Sequence, residues 1–378
     1  MMRHLAILFL LCLSFVMHAQ TAKEWFAKGA KHTNPKDQIN CFSKAIELGY
    51  SPLAPAYYNR GVAYNALKRY EAALKDYSKA LELQADFAAA YYNRGSVLFK
   101  LGQKEAAMKD FSKAISLNAN DPNSYYNRGV VFVQSHHLNE AIADFDTAIA
   151  LCKTNCHLYY NKRAEAKFNL KRFEEALTDY NQAIALDSTY LLAYRNRGLS
   201  YFHLGKYREA IGDYNRVLAT NDQDGYSYHN RANAYMRLGR SVEGFEDFER
   251  AIALNPNDIT SIFNRGVARC RLNMFKEAIP DFDRVIQLRN NHETAYRYRG
   301  LAKSVVGQHQ DAIADLNQAI SLCKYNCYMN YDYRGFIYNA MKNHGQAIQD
   351  WEEMKKTAPP AYRSPFKYIE DARAKLNK

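Results

Sequence analysis

The chain has 378 residues, 48% of them hydrophobic and 24% charged, with 30 tyrosines, and its 51 Lys+Arg against 39 Asp+Glu leave a formal charge of +12. Such a length supplies ample core and by itself suggests two or three domains. The positive excess is spread out, with no run of five or more like charges and no zinc-finger or recognition-helix pattern, so nucleic-acid reading is not expected.

The first segment, residues 1–19, stands apart. Arg3 precedes a thirteen-residue apolar stretch from Leu5 to Met17, and Ala19 precedes Gln20. As a helix that stretch spans about 20 Å, short of a bilayer core of about 30 Å. It reads as a secretory signal peptide cut after Ala19, with an uncleaved anchor as the alternative. Cys12 lacks the small residues that should precede a lipid-modified cysteine. The expected location is therefore periplasmic or secreted, with no membrane span left after cleavage.

Beyond it, Tyr-Tyr-Asn-Arg-Gly fills residues 57–61, 91–95 and 125–129. Aligned on its last, small residue, the phrase recurs at Gly61, Gly95, Gly129, Ala164, Gly198, Ala232, Gly266, Gly300 and Gly335. The spacing is 34 except for two of 35, ending at Ala164 and Gly335. A fixed period of this length marks a helical solenoid. Within a repeat, Tyr57, Gly61 and Tyr64 share one helical face, and Ala73, Tyr77 and Ala80 share the next. Gly61 and Ala73 allow close approach, and Tyr57 and Tyr77 are expected to fill the space between successive pairs.

This pattern resembles the tetratricopeptide repeat family over about residues 23–358, in an Asn-Arg-Gly form and with the look of an exported bacterial member. The resemblance implies an all-α, right-handed superhelical solenoid of stacked antiparallel helix pairs. A degenerate first repeat takes residues 20–53, with Gly29, Phe42 and Ala45 in register and about three residues missing at its inner turn. Nine repeats fill 54–358. Residues 359–378 hold a capping helix, with Phe366, Ile369 and Leu376 on one face. Pro280, inside a second helix, predicts a kink there or a helix that starts late.

The family's phrase normally carries leucine before the glycine. Here that place holds Arg60, Arg94, Arg128, Arg163, Arg197, Arg231, Arg265, Arg299 and Arg334. Sixteen residues after each stands Asp76, Asp110, Asp144, Asp179, Asp213, Asp247, Asp281, Asp315 and Asp350. A guanidinium presents a planar fork that matches a carboxylate. The expectation is a ladder of structural ion pairs between the two helices of each repeat; the alternative is a row of arginines for a polyanion.

Four cysteines form two near-copies, Cys152-Lys-Thr-Asn-Cys156 and Cys323-Lys-Tyr-Asn-Cys327, each at a repeat boundary. In an oxidising compartment these read as two local disulfides, since one helical turn holds such residues near 6 Å apart. Five repeats separate the pairs, so a shared zinc site is ruled out. Redox catalysis usually wants two residues between the cysteines, not three. Cys41 and Cys270 are expected to be buried.

In the family, first helices line a concave face that holds peptides or helices. By register, the second, fifth, ninth, twelfth and thirteenth positions of each repeat face outward there. They place Tyr58, Val62, Tyr92, Phe99, Tyr126 and Val133 early, with Lys100 the one charge, and Arg195, His203, His229, Arg237, Phe263, Arg271 and Arg297 later, against Asp332. The floor thus grades from aromatic to basic and suits a protein or peptide partner with an apolar and an acidic end. His136-His137 lies at an inner turn without a metal-binding partner. No phosphate loop, nucleophile elbow or cofactor motif appears. The chain reads as a non-enzymatic exported scaffold for protein–protein interaction, needing no cofactor and no metal. The alternatives are a module that binds an anionic cell-envelope polymer on the basic half of its groove, or a self-assembling array.

Overall fold

The structure, a computed structural model, describes residues 21–325, 327–359 and 362. The expected signal peptide, and all of the expected capping segment except Pro359 and Tyr362, lie outside the described residues. Two compact bodies divide the chain between Thr189 and Tyr190.

The first body holds α1 (Ala22–Lys31), α2 (Pro35–Glu47), α3 (Leu53–Ala66), α4 (Tyr70–Leu83), α5 (Ala88–Lys100), α6 (Lys104–Leu117), α7 (Pro122–Gln134), α8 (Leu138–Leu151), α9 (Cys156–Asn169) and α10 (Phe173–Leu186). The second holds α11 (Leu191–His203), α12 (Tyr207–Thr220), α13 (Gly225–Arg237), α14 (Ser241–Leu254), α15 (Ile259–Arg271), α16 (Phe275–Leu288), α17 (Glu293–Val305), α18 (His309–Leu322), α19 (Tyr328–Ala340) and α20 (His344–Thr357). Within each body every helix packs on the next, as pairs stacked on pairs, and no strand occurs among the described residues.

Local chemistry sets these boundaries. Thr21 and Glu24 close a reciprocal capping box on α1, satisfying backbone donors that the first turn leaves open. Asn34 and Asp121 cap α2 and α7, each followed by proline at the first helical position, where its missing N–H costs nothing. First helices end on a left-handed residue: Gly102, Gly205, Gly239 and Gly307 in four repeats, Lys68, His136, Lys171, Asn273 and Lys342 in five. That conformation turns the chain back into the second helix.

The core repeats one motif. A small residue on the first helix receives a ring from the second: Tyr77, Phe111, Phe145 and Tyr180 in the first body, and Tyr214, Phe248, Phe282 and Trp351 in the second, with Leu316 taking the same place. At Gly129 an added Cβ would lie 2.7 Å from the Phe145 ring, so the hydrogen side chain sets the interhelical distance.

Three expectations are corrected. α16 runs through Pro280 and starts at Phe275, the same place in the repeat as its counterparts, so the helix does not start late. In the first repeat the shortfall lies not in the turn but in the helix. α1 ends two residues after Gly29 whereas α3 ends five after Gly61, and three residues separate the two helices in both repeats. Tyr57 is half-buried beside Arg60 rather than filling the core, as its Tyr77 counterpart does.

Candidate functional site

Each ladder arginine meets its aspartate side-on. In all nine pairs Nε donates to one carboxylate oxygen at 2.7–3.2 Å and Nη2 to the other at 2.5–2.8 Å. The carboxylates are buried, at 2–6% exposure, and the guanidinium of Arg60 is raised in pKa chiefly by its bond to Asp76. This is a two-point, charge-assisted contact.

The side-on grip leaves Nη1 free to reach backwards. It donates to Ser43 from Arg60, Ser78 from Arg94, Ser112 from Arg128 and Asp146 from Arg163, at 2.6–3.2 Å. In the second body it reaches Asn215 from Arg231, Asp283 from Arg299 and Asn317 from Arg334, at 2.5–2.7 Å. Each acceptor sits two residues after the equivalent of the aspartate in the preceding repeat. The guanidinium also lies 5.3–5.9 Å from a tyrosine three residues earlier in eight of the pairs, Tyr57 for Arg60 being one, a cation–π approach. Only Arg265, preceded by Ile262, lacks that ring. In three repeats a second cation joins the same aspartate: Lys167 on Asp179, Arg269 on Asp281 and Lys303 on Asp315, at 2.8–2.9 Å.

The first-helix face is less open than register alone suggests. Tyr58 and Tyr92 are half-buried, and their hydroxyls accept from Asn93 and Asn127 of the next repeat at 2.8 and 2.9 Å. Burial pushes both phenols up. Tyr126 tilts against Tyr159 at 4.9 Å, and Phe99 packs beside Phe111 and Val131. Phe263 is held between Phe282, His292 and Tyr298. Fifth-position side chains are therefore spacers between repeats. Val62, Lys100, His203, Arg237 and Arg271 are the exposed members of the set, and Arg271 also donates to the Met236 carbonyl at 3.1 Å.

The basic half of the floor is countered by carboxylates that register did not identify. Arg195 lies 3.9 Å from Asp224 and over the Tyr226 ring. Arg297 is 3.3 Å from Glu293, which also accepts from Asn330. His229 bonds to Ser261 at 2.7 Å, and the Ser261 hydroxyl donates to Asp258 at 2.5 Å. Asn233 donates to the other ring nitrogen of His229 at 2.9 Å and accepts from Asn264 at 3.1 Å. Burial lowers the His229 pKa, with Asp258 opposing. Asp332 is buried, and burial raises its pKa; the Tyr362 hydroxyl donates to it at 2.5 Å.

Cys152 and Cys156 are bridged across the α8–α9 boundary, and Cys323 and Cys327 across the α18–α19 boundary, with Cα separations of 5.8 and 5.7 Å. Cys41 is buried, but Cys270 is only half-buried, its thiol pushed up to about 11 by burial. His136 and His137 are exposed. Among the described residues no group of three or more His, Cys, Asp or Glu could hold a metal ion, and no helix is long and apolar enough to cross a membrane.

A family model described as "TPR repeat" matches residues 61–102, 95–136 and 164–205, and one described as "Tetratricopeptide repeat" matches 192–224 and 225–258. Residues 61–136 and 164–258 carry tetratricopeptide repeats. Solved structures agree in fold. One is a tetratricopeptide repeat protein from Parabacteroides merdae, 17% identical over 68% of this chain and 99% of its own, at a TM-score of 0.50. Another is the APC/C hetero-tetramer Cut9–Hcn1, 14% identical over 93% of this chain and 85% of that one, also at 0.50. No curated protein matches. The matched TPR segments include the ladder arginines Arg94, Arg128, Arg197 and Arg231.

Proposed function

We propose that this chain is an exported, non-enzymatic TPR scaffold that holds a protein or peptide partner along its first-helix face. One observation carries the reading. Every ladder arginine is paired with its own aspartate, which leaves the first-helix face as the surface whose exposed groups change from repeat to repeat. Val62 and Lys100 in the first body, and His203, Arg237 and Arg271 in the second, make that face mixed in character within each body, and such variation suits recognition of one segment over another. Two disulfides fit an oxidising compartment outside the cytosol, which supports export. The anionic-polymer alternative is disfavoured because Asp224, Asp258 and Glu293 stand against Arg195, His229 and Arg297.

Panning a random peptide display library on the full chain tests the proposal, with selected peptides then titrated calorimetrically. Peptides are expected to lose about tenfold or more in affinity on Lys100→Glu or Arg237→Glu, a change of roughly 1.4 kcal/mol. Failure to select any peptide, or indifference of all of them to both substitutions, would rule the reading out.

A further inference from the structure

In the first body, a pocket of about 490 Å³ opens beside the amino-terminal ends of α7 and α9. Its size falls within the range of small-molecule sites, about 300–1,000 Å³. The rings of Tyr92, Tyr126 and Tyr159 line it, Tyr159 itself being buried, and so does the bridged loop, through Leu151, Lys153, Thr154 and Asn155.

Four amides face this space, Asn120, Asn123, Asn127 and Asn155, and Asn123 is already engaged, donating to Asp121 and accepting from the Tyr159 hydroxyl. Asn127 spends its Nδ2 on the Tyr92 hydroxyl and keeps its oxygen. Asn155 sits at the amino end of α9 in a left-handed conformation, and its side chain caps no backbone N–H, in contrast to Asp121 on α7. Asn120 is exposed at the mouth. Lys153 is the one charged side chain in the lining, and no carboxylate joins it among the described residues.

These features select a ligand class. An amide both donates and accepts, as does each hydroxyl of a sugar, while a charged ligand would find only one partner. The part-exposed rings of Tyr92 and Tyr126 offer apolar faces suited to the C–H faces of a pyranose. The bridged loop closes one side, which favours a compact ligand over a segment running through. We propose that this pocket binds a neutral saccharide, with the Cys152–Cys156 loop as its fixed wall. The site shares Tyr92 and Tyr126 with the first-helix face but takes a different class of ligand, so either proposal can fail alone.

The test is calorimetric titration of the full chain with neutral tetrasaccharides of the β-glucan, α-glucan, mannan and chitin series, and with an oligouronate as the charged counterpart. At least one neutral series is expected to bind with Kd at or below about 1 mM. Asn127→Ala, Thr154→Trp and Cys152→Ser/Cys156→Ser should each weaken that binding at least tenfold. Arg208→Ala, on an exposed position of α12 in the other body, should leave it unchanged. Thr154 is exposed, so a tryptophan there fills the pocket without disturbing the core, and thermal unfolding checks each variant. Binding of no neutral series, binding of the oligouronate alone, or affinity unchanged by Thr154→Trp would overturn the proposal. Peptides selected by display and measured on the same variants report separately on the partner reading.

Discussion

Arg94 grips Asp110 through Nε and Nη2 and turns Nη1 to the hydroxyl of Ser78, 3.2 Å away in the preceding helix pair. One side chain thus ties two helices of its own repeat and a third from the repeat before. The leucine usual at this position would give burial but no directional contact. Guanidinium chemistry adds orientation.

The ladder should behave as a set of buried pairs. In Arg128→Ala, Asp144 is left buried without its counter-charge, and chemical denaturation should show a loss of about 3 kcal/mol. Asp144→Ala added to it should recover part of that loss, giving a coupling of at least about 1 kcal/mol. Ser112→Ala removes only the Nη1 contact and should cost about 0.5–1 kcal/mol. Strict additivity of Arg128→Ala and Asp144→Ala would refute the pairing.

Repeats with a doubled cation should tolerate loss of the ladder arginine better. In Arg163→Ala, Lys167 still meets Asp179 at 2.8 Å. The destabilisation should therefore be smaller than for Arg128→Ala by about 1 kcal/mol, and the gap should vanish in a Lys167→Met background. Equal losses in the two single variants would show that the second cation contributes nothing.

Acidification should weaken the second body through histidine. Burial lowers the pKa of His229 and of His292 in the folded chain, so below the unfolded value of about 6.5 the unfolded state binds more protons. Stability from these groups is present above about pH 6.5 and is lost as pH falls toward their folded pKa values. Protonating His229 also places a proton opposite the Asn233 amide donor, breaking the contact that leads on to Asn264. His229→Gln should flatten the slope of stability against pH between about 6.5 and 5, and an unchanged slope would rule out this residue as its source.

The two bridges close small loops. Replacing Cys152 and Cys156 together by serine should lower stability by about 2 kcal/mol in the chain-entropy treatment. Alkylation of the native, unreduced chain followed by mass measurement should label Cys270 slowly, and none of the four bridged cysteines. Labelling of Cys152 or Cys323 without reductant would contradict the bridges.

Much of the helix pairing was legible because a period of 34 repeats its packing residues almost letter for letter. The arginines and aspartates stood out for the same reason. The Nη1 acceptors did not, because Ser78, Asp146, Asn215 and Asp283 share hydrogen-bonding capacity rather than identity, and they lie in a different repeat from the arginine they meet. The doubled cations were hidden likewise, since Lys167 occupies the place that Tyr64 holds elsewhere. Register also overstated the openness of Tyr58 and Tyr92. A helical wheel reports which way a residue points, whereas Asn93 and Asn127, arriving from the next repeat, decide how much of the side chain is covered.

The reach of Nη1 into the preceding repeat bears on how an array like this one can be lengthened or trimmed. Removing a whole thirty-four-residue module from its amino end strips only a neutral or half-solvated acceptor from the guanidinium left behind, and water can substitute. A cut between a first helix and its second strands a buried carboxylate and a cation on different fragments. Splicing should therefore be tolerated at the seams between modules and punished inside them.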